Sequence, residues 1–370
     1  MKVPLLDLRA QYDNILEDIK LAMDKVHQRH SYILGPEVQQ LEEAIADYCG
    51  VKYAIGCASG TDALVLSLKA LDIQPGEEII TTPFTFFATA GSIHRVEGKP
   101  VFVDIDPHTF NIDPDKIEAA ITEKTKAIIP VHLFGQTSEM DKIKEIADKY
   151  GLMIIEDTAQ AIGAEFKGKK AGYFGDVATL SFFPSKNLGA MGDAGMCLTD
   201  DKELAEIIKM LRTHGEHPKY YHRWVGLNSR LDTLQAAVLL VKLPYLEKWT
   251  KQRQDNARYY YDNMSDIPEV ELPYIHPDAK SIYNQFTLLV QDREELLEFL
   301  RKSEIGCNIY YPEPLHLQEC FSYLNHKAGD FPVCERVTKR VLSIPIYSEL
   351  SNNQQDYVIE KIREFYRTRR

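Results

Sequence analysis

From about residue 37 the chain alternates between two periods of apolar residues. "PEVQQLEEAIADYC" carries them at helical spacing, and Pro36 opens the run, where a missing N–H costs nothing. "YAIGCA" reads as a strand, and "TDALVLSLKAL" as a helix that starts straight after a Ser-Gly turn. Short β-rich runs follow: "EIIT", "PVFVDI", "KAIIPVHL", "LMIIED", "VATLSFF" and "GMCLT". Helical stretches such as "SEMDKIKEIADKYG" and "ELAEIIKMLR" separate several of them. Strands apolar on both faces, spaced by amphipathic helices, predict an α/β fold with a largely parallel sheet covered on both sides.

Beyond about residue 230 the texture changes. "LDTLQAAVLLVKLPYLEKWTKQRQDNARYYYDNM" predicts one long helix, kinked at Pro244. "FTLLVQ" predicts a strand, "REELLEFLRKS" a helix, "GCNIYY" a strand, and residues 353–367 a terminal helix. The expected organisation is a large domain over residues 1–240, N-terminal helical region included, and a small C-terminal α+β domain over 241–370 that begins with the linking helix.

Composition narrows the function classes. Hydrophobic residues make up 44% of the 370 and charged residues 26%, an ordinary globular balance. A net charge of −12 argues against a nucleic-acid-binding surface as the main function. No apolar run approaches the roughly 20 residues that span a bilayer. "MKVPLLDLRAQYDNILEDIK" turns acidic before a signal-peptide core builds, so a cytoplasmic location is expected. The six cysteines form no C-x-x-C pair and read as buried free thiols.

In open α/β sheets ligands gather beyond the carboxyl ends of the strands, so three such ends matter. The first is "AIGCASGTDAL", where Ser59, Gly60 and Thr61 lead directly into a helix. Free N–H groups and a helix dipole there suit a phosphate; the plainer reading is an N-cap by Ser59 or Thr61. The second is "LMIIEDTAQA", where Glu156 and Asp157 close an apolar strand and point to opposite faces. A carboxylate so placed needs a partner, whether a cap, a salt bridge or a ligand cation. The third is "SFFPSKNLGAMGDAG": Ser181 ends a strand and Lys186 follows in a Gly-rich loop. A lysine there is either a solvated loop residue or an amine kept for chemistry. Together the three match the needs of pyridoxal 5'-phosphate: a phosphate cradle, a carboxylate that keeps the pyridine nitrogen protonated, and a Schiff-base lysine.

"GCASGTDAL", "TPFTFFATA", "PVHLFGQ", "IIEDTAQA", "SFFPSKNLGAMGDAG" and "GLNSRLDTLQAAVL" resemble, in order and spacing, the DegT/DnrJ/StrS-type sugar-nucleotide aminotransferases. That resemblance implies the fold type I of pyridoxal phosphate transferases, with a mostly parallel seven-stranded sheet in the large domain. It implies that Lys186 is the Schiff-base lysine and Asp157 the partner of the pyridine nitrogen. Gln160 would bond the ring hydroxyl, Gly60, Thr61 and Ser181 the phosphate. Phe86 would stack on the ring, with Phe84 and Phe87 as neighbours able to take that place. Asn228 would reach the phosphate of a second subunit, giving a homodimer with shared active sites.

The resemblance is nearest to members that move an amino group from glutamate to a dTDP-linked 3-keto-6-deoxyhexose; members acting at C4 are the alternative. His132, after the strand "IIPV", is expected to point into the pocket and take part in catalysis, with a core role as the alternative. Tyr220, Tyr221 and Arg230, in "HGEHPKYYHRWVGLNSRLD", and Tyr310, Tyr311 and His316, in "IYYPEPLHLQ", are candidate substrate contacts because tyrosine offers a stacking face with a polar tip. A metal site at His214, His217 and His222 is disfavoured, since no acidic helix motif accompanies H-x-x-H. A non-catalytic sensor on the same fold and a different reaction of the same cofactor are the remaining rivals.

Overall fold

The computed structural model describes residues 1–369. Seven strands form the central sheet: β1 (Tyr53–Cys57), β2 (Glu78–Thr81), β3 (Lys99–Phe102), β4 (Thr125–Ile128), β5 (Met153–Asp157), β6 (Val177–Ser181) and β7 (Gly195–Thr199). Their spatial order is β1-β7-β6-β5-β4-β2-β3. Neighbours from β6 across to β3 pair in parallel, while β7 runs antiparallel to both β1 and β6. All seven runs read as strands in the sequence occur as strands.

The reason is visible in consecutive residues. Ile79, Ala127 and Ile155 pack into one core cluster, and their neighbours Ile80, Ile128 and Ile154 pack into another on the opposite face. A strand buried on both faces loses the alternation that an exposed sheet shows and keeps a continuous apolar run. Helices supply both covers: α1 (Pro36–Cys49) with Leu41 and Ile45, and α2 (Gly60–Ala70) with Leu64 and Leu66. A short helix, α3 (Ala88–Arg95), follows β2.

The expected long helix is broken at Pro244. α4 (Thr233–Lys242) ends, one 3₁₀ turn covers Leu243–Tyr245, and α5 (Leu246–Met264) continues. Beyond it, strands Val270–Glu271, Phe286–Val290 and Val341–Ile344 form a three-stranded antiparallel sheet. Helices Arg293–Lys302 and Asn352–Arg367 pack against it through Leu296, Leu300, Val358 and Ile362. "GCNIYY" is not a strand: a single bridge joins Asn308 to Ser343. The edge partner is instead Val341–Ile344, which the sequence reading passed over. The opening segment also departs from expectation, because Val3 pairs with Ile305 and lies in the C-terminal core.

Candidate active site

Gly195 pairs with Cys57 on one side and Ser181 on the other, so the ends of β1 and β6 meet across one residue. Ser59 caps α2, its Oγ accepting from the Asp62 amide at 3.1 Å and its carbonyl from the Ala63 amide at 2.9 Å. The amides of Gly60 and Thr61, in the first turn, are left for a ligand. Glycine is required here for space: a Cβ on Gly60 would lie 2.7 Å from the Ser181 Cβ, and one on Gly195 2.3 Å from the Ser59 carbonyl. The backbone therefore forms a concave cradle of small groups, with the Ser181 hydroxyl at its rim.

Asp157 ends β5 and is buried. Its Oδ2 accepts from the Thr89 hydroxyl on α3 at 2.8 Å, and its Oδ1 from the Ala159 amide at 3.2 Å. Thr85 in turn lies 3.1 Å from Thr89, oxygen to oxygen. Burial raises the Asp157 pKa; the two hydrogen bonds and the charge of Lys186 oppose the rise. A buried carboxylate in this state gains from any cation brought beside it.

Lys186 is half-buried in the loop between β6 and β7. Desolvation lowers its ammonium to about 8, against the pull of Asp157. The next residue, Asn187, is buried and donates to the Ile282 carbonyl at 3.1 Å while accepting from Asn284 at 2.7 Å. Gln160 is fixed at both ends: its Oε1 accepts from the Phe134 amide at 2.8 Å, and its Nε2 donates to the Tyr311 hydroxyl at 3.0 Å. Of the three phenylalanines, Phe84 is core, Phe87 leans on Phe321 at 5.6 Å, and Phe86 is 58% exposed. Phe86, tilted against Tyr311 at 6.3 Å, is the most exposed of the three, with Phe87 at 47%.

The DegT/DnrJ/EryC1/StrS aminotransferase family matches residues 13–363. The chain belongs to this family. A Geobacillus stearothermophilus protein named pleiotropic regulatory protein is 50% identical over 99% of this chain and 99% of its own. The UDP-2-acetamido-2-deoxy-3-oxo-D-glucuronate aminotransferase of Pseudomonas aeruginosa is 43% identical over 94% of this chain and 96% of its own. The dTDP-3-amino-3,6-dideoxy-alpha-D-galactopyranose transaminase of Aneurinibacillus thermoaerophilus is 42% identical over 98% and 99%. The crystal structure of DesV from S. venezuelae, in complex with a ketimine intermediate, superposes with a TM-score of 0.96 at 39% identity, covering 98% of each chain. That of NtdA from Bacillus subtilis, with bound cofactor PMP, gives 0.90 at 34% identity, covering 98% of this chain and 85% of its own.

The protein is therefore a sugar-nucleotide transaminase of the fold type I class, and its cofactor is pyridoxal phosphate. The residues present fit that group. The cradle at Gly60 and Gly195 has no room for a side chain, Asp157 is a buried acid without a cationic partner in hydrogen-bond contact, and Lys186 is an amine with a lowered pKa.

Other expected residues of this aminotransferase are placed differently. His132 is fully buried with both ring nitrogens engaged: one faces Glu156 at 2.8 Å, and the other accepts from the Ser138 amide at 3.1 Å. It has no nitrogen left for substrate, so the expected catalytic role is corrected to a structural one. Glu156 also accepts from the amides of Gly172, Phe174 and Gly175, which spends that carboxylate on a loop. The opposite fates of Glu156 and Asp157 follow from the alternation of the strand. His316 is buried against Phe331, with Nε2 at 3.1 Å from Glu335. At 2% exposure, packed on Phe331 at 4.6 Å, it belongs to the packing around Phe331 and not to an open substrate surface.

Tyr311 lies inside the site, 6.1 Å from Phe84 and 6.3 Å from Phe86, ring to ring. Tyr310 lines a small cavity with Ser185, Arg253 and Asn284. Tyr220 and Tyr221 are 77% and 71% exposed, and Asn228 is exposed as well. Arg230 is half-buried. Within one chain, among the described residues, no hydrogen bond or ring contact joins these four to the Lys186 end. The sequence reading missed Thr89 and Asn187, the residues that orient the acid and the lysine loop. Both stood in quoted motifs, "TPFTFFATA" and "SFFPSKNLG", but a hydroxyl or amide gives no sign in sequence of which carboxylate or carbonyl it will meet.

Proposed function

We propose that the enzyme moves an amino group from glutamate to C3 of a dTDP-linked 3-keto-6-deoxyhexose, giving the dTDP-3-amino-3,6-dideoxyhexose, with two subunits sharing their active sites. The observation that carries the transaminase part is the pairing of Lys186, an amine that burial pushes down to about 8, with the buried acid Asp157 whose charge acts on it. The substrate assignment is supported by the 42% identity to a dTDP-3-amino-sugar transaminase.

Pyridoxal phosphate supplies an aldehyde for the donor's amine and a ring that accepts the electron pair released at the donor α-carbon. The chain does the rest. Gly60, Thr61 and Ser181 would hold the phosphate end. Asp157 would keep a proton on the ring nitrogen, and Gln160 would bond the ring hydroxyl. Lys186 Nζ, whose pKa of about 8 leaves part of it neutral at physiological pH, takes the α-proton of the donor and returns it on the other side of the transfer. Reversing that proton movement places the amine on the keto sugar. Asn228 would reach the phosphate of the second subunit's cofactor, and the exposed tyrosines of the 214–232 loop would complete the substrate end.

Two other readings have an observation behind them. The relative at 43% identity acts on a UDP-linked 3-oxo sugar, so the nucleotide and the ring substituents are open to test. The relative at 50% identity bears a regulatory name, yet Lys186, Asp157 and Gln160 are all in place here. The deciding experiment incubates purified enzyme and glutamate with dTDP-3-keto, dTDP-4-keto and UDP-3-keto sugars. Amination of the dTDP-3-keto sugar at C3 supports the proposal; amination only at C4, or only of the UDP sugar, replaces it.

A further inference from the structure

Lys242, the last residue of α4, has no solvent exposure. Its Nζ donates to the Gly189 carbonyl and, at 3.2 Å, to the Tyr12 hydroxyl. The rings of Tyr12 and Trp249 flank it at 4.6 and 5.8 Å. Glu349 favours the cation only from a distance, and burial lowers the ammonium to about 8. An ammonium buried without a contacting carboxylate is costly, and an apolar side chain of similar length would avoid that cost. The contact it makes is what needs explaining.

Gly189 lies on the same loop as Lys186, three residues on. The loop is closed by the Ala190 amide on the Phe182 carbonyl at 2.8 Å, and its two limbs touch so closely that a Cβ on Gly189 would meet the Pro184 carbonyl oxygen at 2.3 Å. Lys242 therefore pins one limb, and the close Pro184–Gly189 contact carries that restraint to the limb bearing Lys186. Asn284 pins the loop a second time through Asn187. The lowered pKa of Lys186 itself traces to desolvation, against the pull of Asp157.

We infer that Lys242 is a positioning residue for Lys186: its buried ammonium holds the 182–190 loop so that the reactive amine faces the cofactor aldehyde. This rests on Lys186 being the residue that bonds the cofactor. The test uses full-length Lys242→Met, with three readings: the thermal midpoint of the apoprotein, the Kd for pyridoxal phosphate, and the pH midpoint of the visible absorbance of the bound cofactor. The expected result is an apoprotein about as stable as wild type, a Kd raised about tenfold, as for one lost charge-assisted hydrogen bond, and a displaced pH midpoint. Lys242→Gln, which keeps a neutral donor for Gly189, should recover most of the affinity. A wild-type Kd and pH midpoint in Lys242→Met would overturn the inference. So would an affinity loss that merely tracks a lowered thermal midpoint with the pH midpoint unmoved. If Lys242→Met does not fold, the same readings on Lys242→Leu decide: a displaced pH midpoint with a near-wild-type thermal midpoint supports the role, and an unmoved one removes it. Covalent trapping on wild type separates the two claims: no cofactor on Lys186 sinks the premise, whereas cofactor on Lys186 with unaltered variants sinks this inference alone.

Discussion

The cofactor end of the site and the 214–232 loop are built on opposite terms. At the cofactor end the key side chains are tied within one chain: Asp157 to Thr89, Gln160 to Phe134 and Tyr311, Asn187 to Ile282 and Asn284. The 214–232 loop folds partly on itself, with His217 N–H on the Tyr221 carbonyl at 2.7 Å and Arg223 N–H on the Gly215 carbonyl at 2.8 Å, and is anchored by Gly215 N–H on the Met210 carbonyl and Leu227 N–H on the Leu211 carbonyl. Leu231 and Ser229 are buried, whereas Tyr220, Tyr221 and Val225 are 77%, 71% and 86% exposed. The contrast teaches that one chain already orients the groups at the buried cofactor end, while the two tyrosines of the loop are left open to solvent. Preorganisation is what an electrostatic catalyst needs, because groups already oriented cost nothing to reorient during reaction.

The largest test of this division is Lys186→Ala. It should lower kcat by about 10⁴-fold or more with every amino donor, since both the covalent hold and the proton carrier are lost. Asp157→Asn should leave the fold intact and cost about 100-fold in kcat, the usual price of one preorganised charged group. A loss within twofold would show that the strand-end acid does not govern the cofactor. The double change Tyr220→Ala and Tyr221→Ala should act on the other side of the comparison: KM for the nucleotide sugar rises about tenfold while the Kd for pyridoxal phosphate stays put. A changed cofactor Kd there would erase the distinction between the two regions.

The pH dependence sharpens the same contrast. Only the neutral amine attacks an aldehyde, and the Lys186 ammonium sits at about 8. Cofactor uptake by the apoprotein should therefore climb with pH and flatten above about 8, where an ordinary lysine would keep climbing past 10. The linkage sign agrees. The folded pKa lies below the unfolded one, so the unfolded chain binds more protons between the two, and this group makes apoprotein stability rise with pH across that window. The smallest effect is expected from Thr89→Val, which removes one hydrogen bond to Asp157 at about 1 kcal/mol and should weaken cofactor binding several-fold. An unchanged Kd would mean that the Ala159 amide alone orients the acid.

Much of the fold was legible because buried parallel strands write themselves as short apolar runs, and the cofactor end was legible because its parts sit at strand ends in fixed order. What escaped were features decided by distant partners. "GCNIYY" has a strand's composition, yet only Asn308 finds an edge to pair with, and Val341–Ile344 takes the place beside Phe286–Val290. Val3 joins the C-terminal core from the far end of the chain, a contact that no local pattern announces. His132 and His316 carry the same side chain that a catalytic site would use. Each is instead consumed by a neighbouring carboxylate, Glu156 or Glu335. Tyr311 lies against Gln160, which the sequence separates from it by 151 positions.

The site at which the cofactor is bonded is the most direct test. Reduction of the holoenzyme with borohydride, followed by digestion and peptide mass measurement, reads that bond out. The predicted result is a single reduced pyridoxyl group on Lys186 in the "FFPSKNLGAMGDAG" segment. A label on any other lysine, or none on a protein that holds the cofactor, would contradict it.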